Sequence, residues 1–193
     1  MTTNMNADDN SSNFAPRKLL HLRMDAAVDN ALEHIRDNKI VIAIFSMASA
    51  LGDFGLLWHI IGIVRAIGSM DRLLQALIFS ILIGIESLIL NQGIKRLFRR
   101  SRPTEKGDTR FALRKPHTSS FPSGHSSSAF FSALVLTYFT AWPWWLLFYA
   151  FALTIATRRV GVRIHHASDV IAGAFAGTLM GVIGLVILRH YGV

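Results

Sequence analysis

The sequence contains no cysteine among its 193 residues, so disulfide bonds, thiolate metal sites and thiol catalysis are all excluded. It is also poor in charge, because Asp, Glu, Lys and Arg make up 17% of the chain, whereas about 25% is usual for soluble domains. Hydrophobic residues reach 51%. This composition argues against an ordinary soluble protein and favours a chain that lies in a membrane.

Acidic residues are scarcer than basic ones, with 12 Asp and Glu against 20 Lys and Arg, which gives a formal net charge of +8. The basic excess is concentrated between Lys95 and Lys115, where nine Lys and Arg face two acids. Nearly uncharged apolar stretches flank this segment on both sides. Because basic side chains beside apolar helices attract anionic headgroups, we expect a lipid partner in the membrane and no nucleic acid.

The apolar stretches are long enough to cross a bilayer, which takes about 17–25 residues. The sequence therefore predicts an all-α integral-membrane helical bundle with about five transmembrane helices. A sixth helix built on residues 40–51 is the alternative. The predicted spans are residues 54–68, which form the shortest one, 71–94, 126–142, 144–162 and 169–188.

The N-terminal part differs from the rest in composition. Residues 1–16 are rich in Asn, Ser, Asp and Thr and are predicted to be a disordered tail. Residues 17–53 are predicted to be an amphipathic, interfacial segment. Within it, residues 18–38 are predicted to form an amphipathic helix, because apolar residues recur there at helical spacing among charged ones. This helix lies either on the membrane surface or against the rest of the protein. Residues 54–193 would form the membrane-embedded domain.

Three clusters of polar residues stand at the ends of the predicted spans. Successive spans cross the membrane in alternating directions, so all three clusters are predicted to meet on one face of the bilayer. The clusters are, in chain order, Lys95 and Arg102; Ser123, Gly124 and His125; and Arg159, His165 and Asp169.

Each residue type in these clusters has a use at a phosphate group. Asp169 follows His165 by four residues, which is one turn if the last helix begins near His165. A carboxylate on one imidazole nitrogen fixes the tautomer and leaves the other nitrogen free as a nucleophile. His125 can protonate a leaving oxygen, and the backbone N–H groups of Ser123 and Gly124 can hold an anion. The Arg and Lys side chains can neutralise phosphoryl oxygens, and because no carboxylate cluster accompanies them, we expect no metal and no cofactor.

These clusters resemble the three-part signature of the type-2 phosphatidic-acid phosphatase and vanadium haloperoxidase superfamily. That signature reads Lys-x6-Arg-Pro, Pro-Ser-Gly-His and Ser-Arg-x5-His-x3-Asp, and the match runs in order from Lys95 to Asp169. One position departs from it, since Arg158 stands where the family has Ser. The resemblance places this chain in the membrane lipid-phosphatase branch of the superfamily.

The resemblance implies an enzyme that hydrolyses a terminal phosphate from a lipid phosphate or diphosphate without a metal. The substrate would be a polyprenyl diphosphate, a phosphatidate or phosphatidylglycerol phosphate, or a prenyl-phosphosugar phosphate. The implied intermediate is a phosphohistidine at His165, with Asp169 orienting the ring and His125 acting as general acid. The implied phosphate-binding residues are Lys95, Arg102, Ser123, Gly124 and Arg159.

Other residues have simpler interpretations. His166 fits neither motif spacing. Arg99, Arg100 and most of the basic segment are expected to contact lipid headgroups at the membrane surface or to bind the headgroup of the substrate. Glu86 lies inside a span and is expected to pair with a neighbouring helix through Arg65 or His59. His117 is expected to contact the substrate less readily than the motif residues. The three serines at positions 126–128 are expected to serve helix packing.

Two other functions and two orientations stay open. A vanadate-dependent haloperoxidase-like enzyme could use the same residues, and a non-catalytic membrane transporter could share the apolar composition. A count of all basic residues places the basic segment in the cytoplasm. If those charges bind an anion instead, they do not report orientation. The remaining basic residues, Arg65, Arg72 and Arg189, lie on the opposite side of the predicted bundle and favour placing that side in the cytoplasm. The family resemblance agrees, and it favours an extracytoplasmic site in a multi-pass protein of the cell membrane.

Overall fold

A computed structural model of the chain describes residues 19–36, 38, 40, 55–103 and 118–192. Every regular element within these residues is helical, as the sequence predicts. The predicted tail, the alternative sixth helix and His117 lie outside the described residues.

The described part of the chain contains six α-helices. A π-helical turn at Ile89–Gly93 and a 3-10 turn at Ile94–Leu97 continue the third one. The α-helices are α1 (Leu19–Arg36), α2 (Leu56–Ala66), α3 (Met70–Leu88), α4 (Gly124–Phe139), α5 (Trp144–Gly161) and α6 (Ala167–His190).

The single helix predicted over residues 71–94 keeps α-helical geometry only as far as Leu88. The π and 3-10 turns that follow change the direction in which later side chains point, and such turns are frequent at functional sites. On an uninterrupted helix Glu86 and Lys95 would face opposite ways. In the structure both are buried, and both lie against the start of α4.

Helix α4 is the centre of the bundle and packs most closely on α6. A Cβ atom on Gly173 would collide with the carbonyl oxygen of Ser123, and one on Gly177 would collide with that of Ser127. Only glycine lets the two backbones come this close, which is the small-residue packing typical of membrane helices. This packing fixes the N-terminal ends of α4 and α6 side by side. The buried apolar core that α4 shares with its neighbours includes Trp58, Phe79, Phe131, Leu136 and Phe148.

The outer surface of the bundle is apolar over much of its length. Two segments, Met70–Leu97 and Ala167–His190, are long and apolar enough to cross a membrane by length and composition. Helix α2 is shorter, with 11 residues, so the number of spans stays a prediction. Exposed large apolar side chains occur on α2, α3 and α6, among them Ile63, Leu77, Ile81, Phe175 and Val186.

One end of the bundle gathers the turns between α2 and α3 and between α4 and α5. Arg65 donates hydrogen bonds to Gln75 and to the carbonyl of Phe139, which ties these turns together. Arg189, near the end of α6, lies over the ring of Tyr138 at 5.5 Å from its centroid. We call this the far end, because the predicted site residues lie at the other one.

Helix α1 packs on α5 and α6. Of the two arrangements that the sequence left open, the structure therefore shows the helix lying against the rest of the protein. Arg36 is fully buried and donates to the carbonyls of Gly161 at 2.9 Å and Val160 at 3.2 Å. These carbonyls belong to the C-terminal turn of α5, where a cation is favourable. The apolar side chains of α1 that join this contact are Met24, Val28 and Leu32.

Candidate active site

The histidine predicted as nucleophile lies in the turn between α5 and α6. The sequence prediction assumed that α6 begins near His165, whereas the helix begins at Ala167 and His165 lies just before it. The N–H of His165 instead donates to the carbonyl of Arg159 at 3.1 Å, which anchors the turn to the end of α5. The side chain is 2% exposed. The turn thus holds His165 beside the first turn of α6, within reach of Asp169.

The Nδ1 atom of His165 faces a carboxylate and a hydroxyl. Asp169 Oδ2 lies 3.7 Å from it, which exceeds a normal hydrogen bond. Ser120 closes the gap, because its Oγ lies 3.4 Å from Nδ1 and donates to Asp169 Oδ2 at 2.6 Å. Ser120 therefore bridges the predicted His–Asp pair. Catalytic hydrogen bonds are often this long before substrate binds.

The other ring nitrogen of His165 faces a cation. Nη1 of Arg102 lies 3.3 Å from Nε2, and since a guanidinium can only donate, Nε2 must accept. The proton of the neutral ring is then on Nδ1, toward Ser120 and Asp169. This assignment leaves the nucleophilic lone pair on Nε2, beside Arg102. Arg102 is held in place by the carbonyls of Ile164 at 3.1 Å, Thr118 at 3.1 Å and Ser119 at 3.2 Å.

The surroundings of His165 keep its ring neutral. Burial lowers the pKa of this imidazole most, and the nearby cations Arg159, Arg102 and Lys95 lower it further, to about 3. The contact with Asp169 opposes this shift but does not cancel it. A histidine with so low a pKa is unprotonated at neutral pH, which is the state a nucleophile needs.

Asp169 is a fully buried carboxylate with several donors. Its Oδ2 accepts from Ser120 and from the backbone N–H of His166 at 2.9 Å. Its Oδ1 accepts from Nη1 of Arg100 at 2.5 Å. Because Asp169 sits in the first turn of α6, the positive end of the helix also stabilises its charge. Its two oxygens are thereby fixed relative to the His165 ring.

Ser123 has a different role from the one predicted. Its N–H donates to the carbonyl of Asp169 at 2.9 Å, so the prediction that this amide faces an anion is wrong. Its side chain caps α4 by accepting from the N–H of Ser126 at 3.4 Å. Ser123 therefore joins the start of α4 to the first turn of α6.

The remaining predicted residues surround the same point. A Cβ atom on Gly124 would lie 3.3 Å from Nζ of Lys95, so the buried Lys95 side chain reaches the start of α4. His125 follows in the first turn of α4 and is partly exposed. Arg159 is buried at the end of α5, close enough to act electrostatically on His165. The structure thus brings the three predicted clusters together at one end of the bundle.

Two residues of the site escape prediction from the sequence. Ser120 lies two positions before the second motif, in a run of hydroxyl residues that carries no signal. Arg100 is predicted to contact lipid headgroups, yet it forms ion pairs with Asp169 and with Asp25 of α1. Its position inside the first motif is the one feature that could have drawn attention to it.

Glu86 also differs from its prediction. Its carboxylate accepts hydrogen bonds from Ser127 and, at 2.6 Å, from Ser128. The predicted partners lie elsewhere, with Arg65 at the far end and His59 bonded to the hydroxyl of Ser80 at 3.0 Å. Two of the serines assigned to helix packing therefore serve this buried acid.

Comparison with known proteins decides the family. The model of the PAP2 superfamily matches residues 73–191. The chain belongs to the PAP2 superfamily. The matched residues include all three clusters, whereas α1 lies outside them. Comparison with curated protein sequences gives no significant match.

Two solved structures of this superfamily's fold resemble the chain. The crystal structure of Aquifex aeolicus LpxE aligns with a TM-score of 0.67 and 25% identity, over 85% of this chain and 93% of that one. A transmembrane PAP2-type phosphatidylglycerolphosphate phosphatase from Bacillus subtilis aligns with a TM-score of 0.62 and 24% identity, over 90% of this chain and 94% of that one. The predicted all-α membrane bundle is thereby confirmed.

Proposed function

We propose that this protein is an integral-membrane lipid phosphatase that works through a phosphohistidine at His165. The observation that carries the proposal is the setting of this ring. His165 is buried and neutral, with a cation at Nε2 and the Ser120–Asp169 pair at Nδ1. Membership of the PAP2 superfamily and the likeness to a Bacillus subtilis phosphatidylglycerolphosphate phosphatase support it.

The first half-reaction transfers the phosphoryl group to the enzyme. Nε2 of His165 attacks phosphorus, and the bond to the lipid oxygen breaks with its electron pair leaving on that oxygen. His125 gives its proton to the departing oxygen. The ring becomes cationic as the N–P bond forms, and Asp169 stabilises that charge. Lys95, Arg102 and Arg159 neutralise the phosphoryl oxygens, and the start of α4 at Gly124 adds its positive helix end.

The second half-reaction releases phosphate. A water molecule attacks the phosphohistidine while His125, now unprotonated, takes a proton from it. The N–P bond breaks with its electron pair returning to Nε2 of His165. The products are inorganic phosphate, a neutral His165 and a protonated His125, so the enzyme returns to its starting state.

No metal enters this scheme. Within the described residues no group of His, Asp or Glu side chains is arranged to hold one. The charge of the phosphate is instead met by Lys95, Arg102 and Arg159, which are side chains able to neutralise it without a cofactor.

The substrate proposal follows from the position of the site at one end of an apolar bundle. A lipid phosphate in the leaflet would place its headgroup there and its chains along the exposed apolar side chains. We propose a polyprenyl diphosphate, a phosphatidate or phosphatidylglycerol phosphate, or a prenyl-phosphosugar phosphate. The far end carries Arg65, Arg72 and Arg189, which favours its placement in the cytoplasm and the site on the extracytoplasmic side.

The proposed division of the chain follows the same picture. Residues 54–193 form the phosphatase domain and 17–53 the N-terminal amphipathic segment, behind a tail of residues 1–16. Within the residues that the structure describes, helix α1 of this N-terminal segment contacts the domain.

The experiment is phosphate release by the purified full chain in detergent. The three classes of lipid phosphate are each supplied to the wild type, to His165→Ala and to a control, His190→Ala. His190 lies at the far end beside Tyr191, with a ring-centroid distance of 5.2 Å. We expect release from at least one class by the wild type and the control, and none by His165→Ala. Release by none, together with halide oxidation after loading with vanadate, would instead favour the haloperoxidase-like alternative.

A further inference from the structure

A carboxylate on α1 reaches into the site from outside the residues matched by the family. Asp25 is 6% exposed, and its Oδ1 accepts from the N–H of Ser168 at 2.8 Å. Its Oδ2 accepts from the hydroxyl of Ser168 at 2.8 Å and from Nη2 of Arg100 at 2.7 Å. An acid on the surface helix α1 thus bonds to the first turn of α6, next to Asp169.

Arg100 is the link between Asp25 and the site. While Nη2 bonds to Asp25, Nη1 bonds to Oδ1 of Asp169 at 2.5 Å and to the hydroxyl of Ser168 at 2.8 Å. The carbonyl of Arg100 also accepts from the N–H of Ser120 at 2.9 Å. One residue therefore contacts both groups that face Nδ1 of His165.

We propose that Asp25 and Arg100 are positioning residues for His165, and that α1 is through them a working part of the active site. The inference rests on the proposed function, because it assigns these residues to the same reaction. Arg100 fixes the Oδ1 side of Asp169, which sets the angle at which Oδ2 meets Ser120 and His165. Asp25 fixes Arg100 in turn, because a planar guanidinium group that bonds to two carboxylates can take only one orientation.

The charges support this arrangement. Asp169 is fully buried and Arg100 is 23% exposed, so their pair is shielded from water and is stronger than an ion pair on the surface. Removing Arg100 would leave a buried carboxylate with one cation fewer, and the carboxylate would turn toward other donors. His165 would then lose its alignment through the movement of Asp169.

The same helix offers a matched control. Asp29, one turn after Asp25, pairs with Arg36 at 2.6 Å and with Arg163. Those cations keep the pKa of the Asp29 carboxyl below its usual value, although partial burial opposes the shift. Asp29 thus holds α1, through Arg163, against the turn that follows α5. Asp29→Asn therefore weakens docking of the helix and leaves the Arg100 link in place.

The test measures kcat and KM of the full chain in detergent with a short-chain lipid phosphate that the wild type hydrolyses. We expect Arg100→Gln to lower kcat by about 10- to 100-fold, the cost of losing hydrogen bonds to a charged group. Asp25→Asn should lower it by about 10-fold, with KM nearly unchanged in both variants. Arg100→Lys keeps the charge and should recover part of the loss. Asp29→Asn should stay near the wild type.

A second comparison separates positioning from folding. In a chain that already carries Asp169→Asn, adding Arg100→Gln should change kcat little, because residues that act as one unit are not additive. Thermal unfolding midpoints show whether each variant folds. The proposal is overturned if the losses of kcat caused by Asp169→Asn and by Arg100→Gln multiply in the double variant. It is also overturned if Asp25→Asn has the same kcat as Asp29→Asn, or if Arg100→Gln and Asp25→Asn raise KM while kcat stays unchanged. Absence of phosphate release by the wild type would contradict the proposed function itself, and this inference with it.

Discussion

The guanidinium of Arg102 lies 3.3 Å from Nε2 of His165, at the ring nitrogen that does not face Asp169. This contact fixes the tautomer of the ring and marks the point where phosphorus would arrive. An incoming phosphate would take over the N–H groups of Arg102 that now point at Nε2. The same arginine can therefore hold the free nucleophile in place and then bind the phosphoryl group as the nucleophile attacks.

The two predicted catalytic histidines should respond differently to the leaving group. His125→Ala removes the proposed general acid, so hydrolysis of lipid phosphates, which have poor leaving groups, should fall by roughly 10²–10⁴-fold. An activated aryl phosphate needs little protonation and should keep more of its rate. His165→Ala removes the proposed nucleophile and should abolish turnover of both substrates. Equal losses in His125→Ala on both substrates would show that His125 is not the acid.

The protonation state of His165 can be observed directly. Burial and nearby cations lower the pKa of this ring to about 3, whereas an ordinary histidine titrates near about 6.5. In ¹⁵N-histidine-labelled protein, the His165 resonances should keep neutral-imidazole shifts between about pH 8 and pH 5. They are identified by their absence from His165→Gln. Titration of these resonances near the ordinary value would contradict the buried, cation-flanked setting.

Hydrolysis should not depend on a divalent metal. In the proposed mechanism Lys95, Arg102 and Arg159 supply the positive charge at the phosphate, so activity should persist in excess EDTA. Orthovanadate should inhibit, because it imitates the five-coordinate phosphorus at His165. Phosphate release is measured with EDTA alone and after addition of excess Mg²⁺. Loss of activity in EDTA that Mg²⁺ restores would exclude the proposed mechanism.

The contact between α4 and α6 should be sensitive to a single methyl group. Gly177→Ala places a Cβ against the carbonyl of Ser127, so the helices must move apart at a cost of about 1–3 kcal/mol. For a chain of this size that cost corresponds to about 2–4 °C of thermal midpoint per kcal/mol. Gly184→Ala is the control, since a Cβ atom added there would lie 3.9 Å from its nearest neighbour, an atom of the Phe131 ring. Equal midpoints for the two variants would contradict the close packing.

The sequence predicted which residues come together where spacing along the chain carries the information. Motif spacing marked His165 and Asp169, and alternating spans brought their cluster to the same end as Lys95. The details failed where local geometry departs from a regular helix. The π turn after Leu88 is not visible in an apolar run, and the start of α6 at Ala167 leaves His165 in the preceding turn and not on the helix.

Residues that join the site through tertiary contacts could not be predicted either. Asp25 lies 75 positions before Arg100 and 143 before Ser168. Nothing in an amphipathic helix indicates which acid will turn inward, because that depends on how the helix docks. The bonds of Glu86 to α4 depend in the same way on the packing of the bundle.

The central claim is that His165 carries the phosphoryl group, and trapping this intermediate tests it most directly. The purified protein is mixed with a lipid phosphate labelled with ³²P at its terminal phosphate, quenched in alkali and digested. Wild-type protein should yield one labelled peptide that contains His165, with label that is stable to alkali and lost in acid, as expected for phosphohistidine. His165→Ala should yield none. Label on another residue, or label retained in His165→Ala, would contradict the account.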